Sequence, residues 1–364
     1  MKILHLLYSG LGGHGNVFFS IVKADRLKEF EHEALFNGIE EVKPEYIQRC
    51  LDNNINWQFV KKSRGLDLGF YRNLAADIKR ADPDIIFLHG STQILAAKIA
   101  VIFSRRKRKI IVRETQANQL KTKQDWFWLI TAMLLADKIV FLTREYKAEI
   151  RKKLSLVYKE KKTALIPNGI DVQLFRPVKK EDTGTVVIGM QSRIVKIKDH
   201  ETLLRAFASL LKDPANAGKR MVLRIAGDGD CRKGLEALAE SLAIAQQVEF
   251  TGILAQQELI TFLNGVDIYV HASFGETMST AIMEAMASGK PIIASDVPGI
   301  NNMIENKVTG ILVPPADVQA MADAISALLH NSSLASQLSE NACKKANEEY
   351  SNTRMLEGYK SIFK

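Results

Sequence analysis

Short apolar or β-branched runs alternate with amphipathic helical stretches from one end of this chain to the other, a pattern that leads to doubly wound α/β domains with parallel sheets. Strands are expected at residues 2–8, 32–36, 57–60, 85–89, 109–113, 138–142 and 163–166, and there the order breaks. Ile166-Pro167-Asn168-Gly169-Ile170-Asp171 ends a strand in turn residues, and residues 175–184 read as a polar linker without periodicity. A second series begins at 185–190, continues at 221–226, 248–250, 267–271, 291–295 and 310–313, and closes in three helical stretches. The 364 residues are too many for one ordinary core. Two domains are expected, residues 1–170 and 171–349. Open α/β sheets bind ligands outside the carboxyl ends of their strands. Two such units facing each other make a cleft, so chemistry is sought in the loops directly after strands.

Charge divides unevenly. Residues 1–180 carry 33 Lys and Arg against 19 Asp and Glu, whereas residues 181–364 carry 17 against 22. The first half is therefore basic, with its excess in runs such as Arg105-Arg106-Lys107-Arg108-Lys109. Such runs read either as solvated surface or as patches suited to an anionic lipid surface, nucleic acid or a phosphorylated acceptor. The longest apolar stretches, such as 126–136, fall short of the ~18 to 20 residues of a bilayer-spanning helix. The apolar stretch 94–103 runs into that basic run, and Trp126-Phe127-Trp128 adds aromatics, so peripheral docking on an anionic membrane is expected, with core packing as the plainer reading. Cys50, Cys231 and Cys343 are odd in number and in no ligand spacing, which suits a reducing cytoplasm without disulfides.

Gly10, Gly12 and Gly15 satisfy G-x-G-x-x-G after a strand and before a helix, formally a dinucleotide signature. A nicotinamide site also expects an acid at the end of the second strand, but that strand ends Leu35-Phe36-Asn37-Gly38. The milder reading is a glycine turn, Gly12 and Gly13 included, where a ligand approaches backbone, with His14 facing the ligand. Asp228-Gly229-Asp230 resembles an oxygen-ligand pair for Mg²⁺ or Mn²⁺, yet it reads better as the turn leaving a strand; no metal is expected. The strongest constellation runs from Ser273 to Pro291. Glu276 lies in a loop, a helix follows over about 279–288, and Glu284 lies in its second turn, so the two carboxylates meet different parts of one extended ligand. Backbone N–H groups around residues 278–281 favour negative charge there. Upstream, Arg193 and Lys198 precede another helix and are placed to converge on the same anion, such as a departing nucleoside diphosphate.

With these residues in view, the chain resembles retaining glycosyltransferases of the GT-B fold, in particular glycosyltransferase family 4, over nearly its whole length. The resemblance rests on Glu276 with Glu284 and the run through Pro291, on Ile166–Asp171, on Arg193 with Lys198, on Ala226-Gly227-Asp228-Gly229, on Val248-Glu249-Phe250-Thr251-Gly252, and on 309–317. It implies two Rossmann-like domains facing a cleft, with the last segment, 350–364, crossing back onto the first. It also implies a nucleotide-sugar donor held by the second domain and a glycan or lipid-linked acceptor held by the first, without metal, cofactor or nucleic acid. Glu276 would contact donor sugar hydroxyls, Glu284 the ribose, Arg193 and Lys198 the diphosphate, and Gly12-Gly13 would close over the phosphates. Gly227, Ile253, Thr277, Met278, Ser279 and Thr280 would complete the donor site, and His89 matches a family histidine beside the donor sugar. Thr277-Met278-Ser279 departs from the family's usual Gly-Phe-Gly, which leaves sugar preference open. Arg113-Glu114 stands where many members have His-Asp or His-Glu and reads either as an anionic-acceptor contact, together with His14, or as a structural arginine. Alternatives on the same fold are an epimerase or a phosphorylase; a nicotinamide oxidoreductase is the alternative on the glycine turn.

Overall fold

The computed structural model describes residues 1–10, 12–65, 67–102, 104, 106–180 and 183–364. Leu11 of the glycine turn, Phe103 and Arg105 of the apolar–basic junction, and two linker residues, Glu181 and Asp182, lie outside them. The chain runs β1 (Lys2–Tyr8), α1 (Gly13–Ala24), β2 (Glu31–Gly38), α2 (Pro44–Asp52), β3 (Asn56–Lys61), α3 (Leu68–Ala81), β4 (Ile85–Leu88), α4 (Ile94–Ile102), β5 (Lys109–Arg113), α5 (Lys123–Leu135), β6 (Lys138–Phe141), α6 (Arg144–Lys153) and β7 (Thr163–Leu165). It continues as β8 (Thr185–Gln191), α7 (His200–Lys212), β9 (Arg220–Ala226), α8 (Arg232–Ser241), β10 (Val248–Gly252), α9 (Gln256–Gly265), β11 (Ile268–His271), α10 (Thr280–Ala287), β12 (Ile292–Ser295), β13 (Ile311–Val313), α11 (Val318–His330), α12 (Ser332–Glu349) and α13 (Asn352–Phe363). Two compact units result, Met1–Asp171 with Asn352–Lys364, and Val172–Ser351. The α/β reading of the sequence holds, with one parallel sheet in each unit.

The first sheet has the order β3-β2-β1-β4-β5-β6-β7 and the second β10-β9-β8-β11-β12-β13. In each, the order reverses at one point, between β1 and β4 and between β8 and β11. Ligands of such sheets bind at these reversals, beyond the carboxyl ends of the strands. The strands read as near-continuous apolar runs because both faces are covered. On β1, Leu4 and Leu6 pack under α3, α4 and α5, while Ile3 packs with Val17 and Ile21 of α1 and Met355, Tyr359 and Phe363 of α13. The terminal helix thus belongs to the first unit's core. Each fully buried aromatic or aliphatic side chain in these layers contributes roughly 1.5–3 kcal/mol of transfer free energy.

Helix starts are fixed by side-chain caps. Asp67, Thr122, Thr143, Asp199, Ser279, Asp317 and Asn331 each accept a backbone N–H of the first turn, each cap worth ~1 kcal/mol. Among the described residues no helix is long and apolar enough to cross a membrane. In the basic run, Arg106 pairs with Asp82 and Asp84 and Arg108 pairs with Asp82, so part of its charge is spent within the fold. Trp126 packs under Lys153, and Trp128 stacks on Tyr71 against the core; only Phe127 of that aromatic run is exposed.

Five histidines are shielded from water. His5, His89 and His271 are held well below the usual imidazole range and His32 and His200 at about 4, burial being the largest cause in each. Because these folded values lie below the unfolded value of ~6.5, the unfolded chain binds more protons in the window between them, and stability rises with pH there. This stability is complete above ~6.5 and is lost as pH falls toward 4, at up to about 1.4 kcal/mol per pH unit for each histidine. Trp57, Trp126 and Trp128, like His5, His32 and His89, all belong to the first unit. The urea midpoint followed by tryptophan fluorescence should therefore fall steadily from pH 7 to pH 5. A flat midpoint across that range contradicts neutral buried histidines.

Candidate functional site

In the second unit the two loops at the sheet reversal are stitched together. Residues 192–199 follow β8 and residues 272–279 follow β11. Asp199 N–H donates to Ala272 O at 3.2 Å and Phe274 N–H to Ile197 O at 2.9 Å. On the other side, Ser192 N–H donates to Ala226 O at 3.0 Å and Ile194 N–H to Asp228 O at 2.9 Å. Gly227, at φ 134°, allows this approach, since a Cβ there would lie 1.9 Å from Ser192 O. Gly299, at φ 89°, plays the same part behind Glu276, where a Cβ would lie 2.0 Å from the Glu276 carbonyl. Asp228 accepts from Gly229 N–H and pairs with Arg232, the habits of a turn residue.

Between these loops lies a buried polar cluster. The Lys198 ammonium is in direct contact with the Glu276 carboxylate. His271, the last residue of β11, places Nε2 2.9 Å from the same Glu276 oxygen and 3.5 Å from Lys198 Nζ. Its Nδ1 lies 3.3 Å from the Tyr269 hydroxyl. Burial, and after it the charge of Arg193, push Lys198 down to about 7; the adjoining carboxylate pulls the other way. Arg193 itself is exposed. Glu284, in the second turn of α10, is buried and accepts from Gln191 Nε2 at 3.1 Å. Ser279 caps α10 by accepting from Ile282 N–H, which leaves the other N–H groups of the first turn to meet an anion.

The structure thus brings Lys198 and Glu276 together and sets Glu284 along the same helix start. Thr277, Met278, Ser279 and Thr280 form the connection between them, Met278 and Ser279 buried and Thr277 and Thr280 half-buried. Gly227 supports the Ser192 loop, and Ile253, after β10, is exposed. His271, Tyr269, Gln191 and His200 were not legible as site residues. His271 and Gln191 end strands at the reversal, and that position was the available signal. His200 Nε2 lies 3.0 Å from Ser192 Oγ and its Nδ1 donates to Lys198 O at 2.8 Å, so it ties the lysine's own backbone down.

In the first unit the glycine turn follows β1. Tyr46 of α2 pins it: its hydroxyl accepts from Gly12 N–H at 2.9 Å and donates to Gly12 O at 3.0 Å. A Cβ at Gly15 would lie 2.2 Å from that hydroxyl. Gly13 is exposed, and half-buried His14 has Nε2 3.0 Å from Tyr8 O. At the end of β2 the Asn37 amide donates to Leu7 O, while Glu40 and Glu41 pair with Lys43 and Lys61. His89 sits just past β4, across the reversal from the glycine turn. Arg113 is 2% exposed; its Nη2 donates to Asn168 Oδ1, inside the protein rather than at its surface. Glu114 is buried, accepting from Gln116 N–H at 3.1 Å and pairing with Lys121 at 3.3 Å.

Residues 171–345 match the family model for Glycosyl transferases group 1 and residues 11–174 that for Glycosyltransferase Family 4. Alpha-D-kanosaminyltransferase of Streptomyces kanamyceticus is 33% identical over 159 residues, 44% of this chain and 40% of that protein. Alpha-monoglucosyldiacylglycerol synthase of Streptococcus pneumoniae is 34% identical over 184 residues, 47% of this chain and 38% of the other. The matches therefore span about two fifths of the length of these relatives. Among solved structures, Anabaena HepE in complex with UDP and glucose superimposes with a TM-score of 0.82 at 18% identity, over 100% of this chain and 99% of the other, a likeness of fold. With the two family models meeting at the junction between the units, and the paired parallel sheets of the GT-B fold beneath them, the chain belongs to the group 1, family 4 glycosyltransferases.

Proposed function

We propose that this glycosyltransferase retains anomeric configuration, takes its sugar from a UDP-sugar without a metal ion, and passes it to a hydroxyl of a glycan or lipid-linked acceptor. The observation that carries the reading is the Glu276 carboxylate gripped by Lys198 and His271 beside the start of α10, with Glu284 held by Gln191 farther along. Held this way, Glu276 accepts donor sugar hydroxyls, Glu284 accepts the ribose hydroxyls, and Lys198, Arg193 and the α10 N–H groups meet the diphosphate. UDP as the nucleotide is supported by the Anabaena neighbour's complexes. In the reaction the bond from the anomeric carbon to the phosphate oxygen breaks and the acceptor oxygen bonds to that carbon from the same face. The acceptor's proton passes to the departing phosphate oxygen. Glu276, engaged by two N–H donors, serves binding rather than attack.

The two carboxylates should fail differently. Glu284→Ala should weaken UDP and UDP-sugar alike, whereas Glu276→Ala should spare UDP and reduce turnover. Calorimetric titration with UDP beside a transfer assay decides; loss of UDP binding in Glu276→Ala but not in Glu284→Ala reverses the roles.

A lipid-linked acceptor is supported by the name of the pneumococcal relative and by one surface of the first unit. There Leu68, Ile99 and Ile102 are exposed, and Arg72 and Lys79 line a groove between α3 and α4. Apolar insertion with flanking cations suits an anionic leaflet, each cation adding about 1 kcal/mol. Ile99→Glu with Ile102→Glu should release the protein from phosphatidylglycerol vesicles in co-sedimentation while leaving UDP affinity unchanged. Equal pelleting of variant and wild type, or none of either at low salt, makes a soluble glycan the acceptor.

A further inference from the structure

Three imidazoles and a carboxylate line up across one face of the first sheet. His5 lies in β1, in register with Ala34 of β2 and Phe87 of β4. His32, the second residue of β2, lies on the same face, in register with Ile3, and His89 follows β4. His32 Nδ1 is 3.0 Å from His5 Nε2, and His5 Nδ1 is 3.1 Å from His89 Nε2. At the far end Asp25 Oδ2 lies 3.5 Å from His32 Nε2, an electrostatic contact at the outer limit of a hydrogen bond. Asp25 is itself fixed by the N–H groups of Glu29 and Phe30, at 3.0 and 2.9 Å. Neither end of the row is closed by a full hydrogen bond: His32 Nε2, facing Asp25, and His89 Nδ1, at the near end, are both buried without a hydrogen-bond partner. Burial, and after it electrostatic repulsion from His5, Arg113 and His14, disfavours a proton on His89.

All three imidazoles are neutral at pH 7, so each carries one N–H. A row of neutral imidazoles has two consistent proton arrangements, one the reverse of the other. Asp25 selects between them, because a carboxylate only accepts and would repel a bare nitrogen. His32 Nε2–H therefore faces Asp25, His5 Nε2–H donates to His32 Nδ1, and His89 Nε2–H donates to His5 Nδ1. The atom left over is His89 Nδ1, a lone pair without a donor. Buried polar atoms are rarely left so, and each one asks for a partner.

We propose that Asp25, His32 and His5 are positioning residues that fix His89 as its Nε2–H tautomer, so that Nδ1 is the acceptor in the donor-sugar contact that the family resemblance implies for this histidine. The sugar as partner rests on the transfer function proposed above; the tautomer does not. A bare Nδ1 repels phosphate oxygens and welcomes O–H, so His89 suits a hydroxyl rather than a phosphate oxygen.

Histidine-selective ¹⁵N labelling and two-bond ¹H–¹⁵N correlation read the tautomer directly in the full chain. Wild type should show His89 protonated on Nε2 alone at pH 7. His32→Leu, which cuts the link to Asp25, should release that preference, and His32→Gln, with one donor and one acceptor, should restore it. Asp25→Ala, a second route should His32→Leu fold poorly, removes the carboxylate that selects between the two arrangements and should likewise release the preference at His89. In transfer assays His32→Leu should lower kcat/KM for the nucleotide-sugar about three- to tenfold, the range of one neutral hydrogen bond, with UDP affinity unchanged. An Nδ1–H tautomer in wild type, an unaltered tautomer in His32→Leu and Asp25→Ala, or an unaltered kcat/KM overturns the proposal. A wild-type protein that binds no UDP removes instead the transfer reading and the sugar with it, while the spectra still judge the row.

Discussion

A lysine and a glutamate pressed together with little of either side chain in water are costly to bury, and the second unit is built around such a pair. The Lys198 and Glu276 side chains keep 10% and 17% of their exposure. Desolvating two ions costs several kcal/mol each, and their attraction offsets this only when further hydrogen bonds complete the pair. His271 supplies one from the end of β11, and His200 holds the Lys198 backbone. The pair therefore depends on two loops being fixed against each other, and the backbone bonds from Asp199 to Ala272 and from Phe274 to Ile197 fix them. Gly227 and Gly299 permit the close approaches that this requires. What results is a cation largely desolvated before any ligand arrives, the setting that the proposed transfer needs to stabilise charge on a leaving group without reorganisation.

The two units solve a similar problem at their sheet reversals. In the first, a histidine follows the strand across the reversal from the glycine turn, and in the second, a histidine ends the corresponding strand. His271 is oriented by a carboxylate and a tyrosine hydroxyl next to it, while His89 is oriented through two further imidazoles reaching Asp25. The glycine turn is likewise held by a side chain from another element, Tyr46. Most of these buried polar atoms have a partner, His89 Nδ1 being an exception, and the burial of the imidazoles makes both units sensitive to acid.

Strand positions were legible because period and turn chemistry agree at nearly every element: the run 2–8 is β1, and the break at 166–184 separates the two sheets. Lys198, Glu276 and Glu284 could be singled out because loops after strands and helix starts are local features. Partnerships across the sheet were not, since nothing local tells that His5 meets both His32 and His89 or that Tyr46 reaches Gly12. The same reason hid the pairing of Arg106 and Arg108 with Asp82 and Asp84, which spends charge that the bare sequence leaves to a membrane. Arg113, one of the candidate acceptor contacts, is inside the protein, where Asn168, 55 residues on, accepts its hydrogen bond.

In the proposed reaction Lys198 and the start of α10 hold a nucleoside diphosphate without a metal ion. Calorimetric titration of UDP in the presence of EDTA tests it most directly, with wild type and Lys198→Ala compared. The account predicts binding to wild type unaffected by chelation, and a loss of roughly ten- to a hundredfold in Lys198→Ala, the range of one charge-assisted hydrogen bond. Binding that disappears in EDTA and returns with Mg²⁺ or Mn²⁺, or equal affinity in the two proteins, would contradict it.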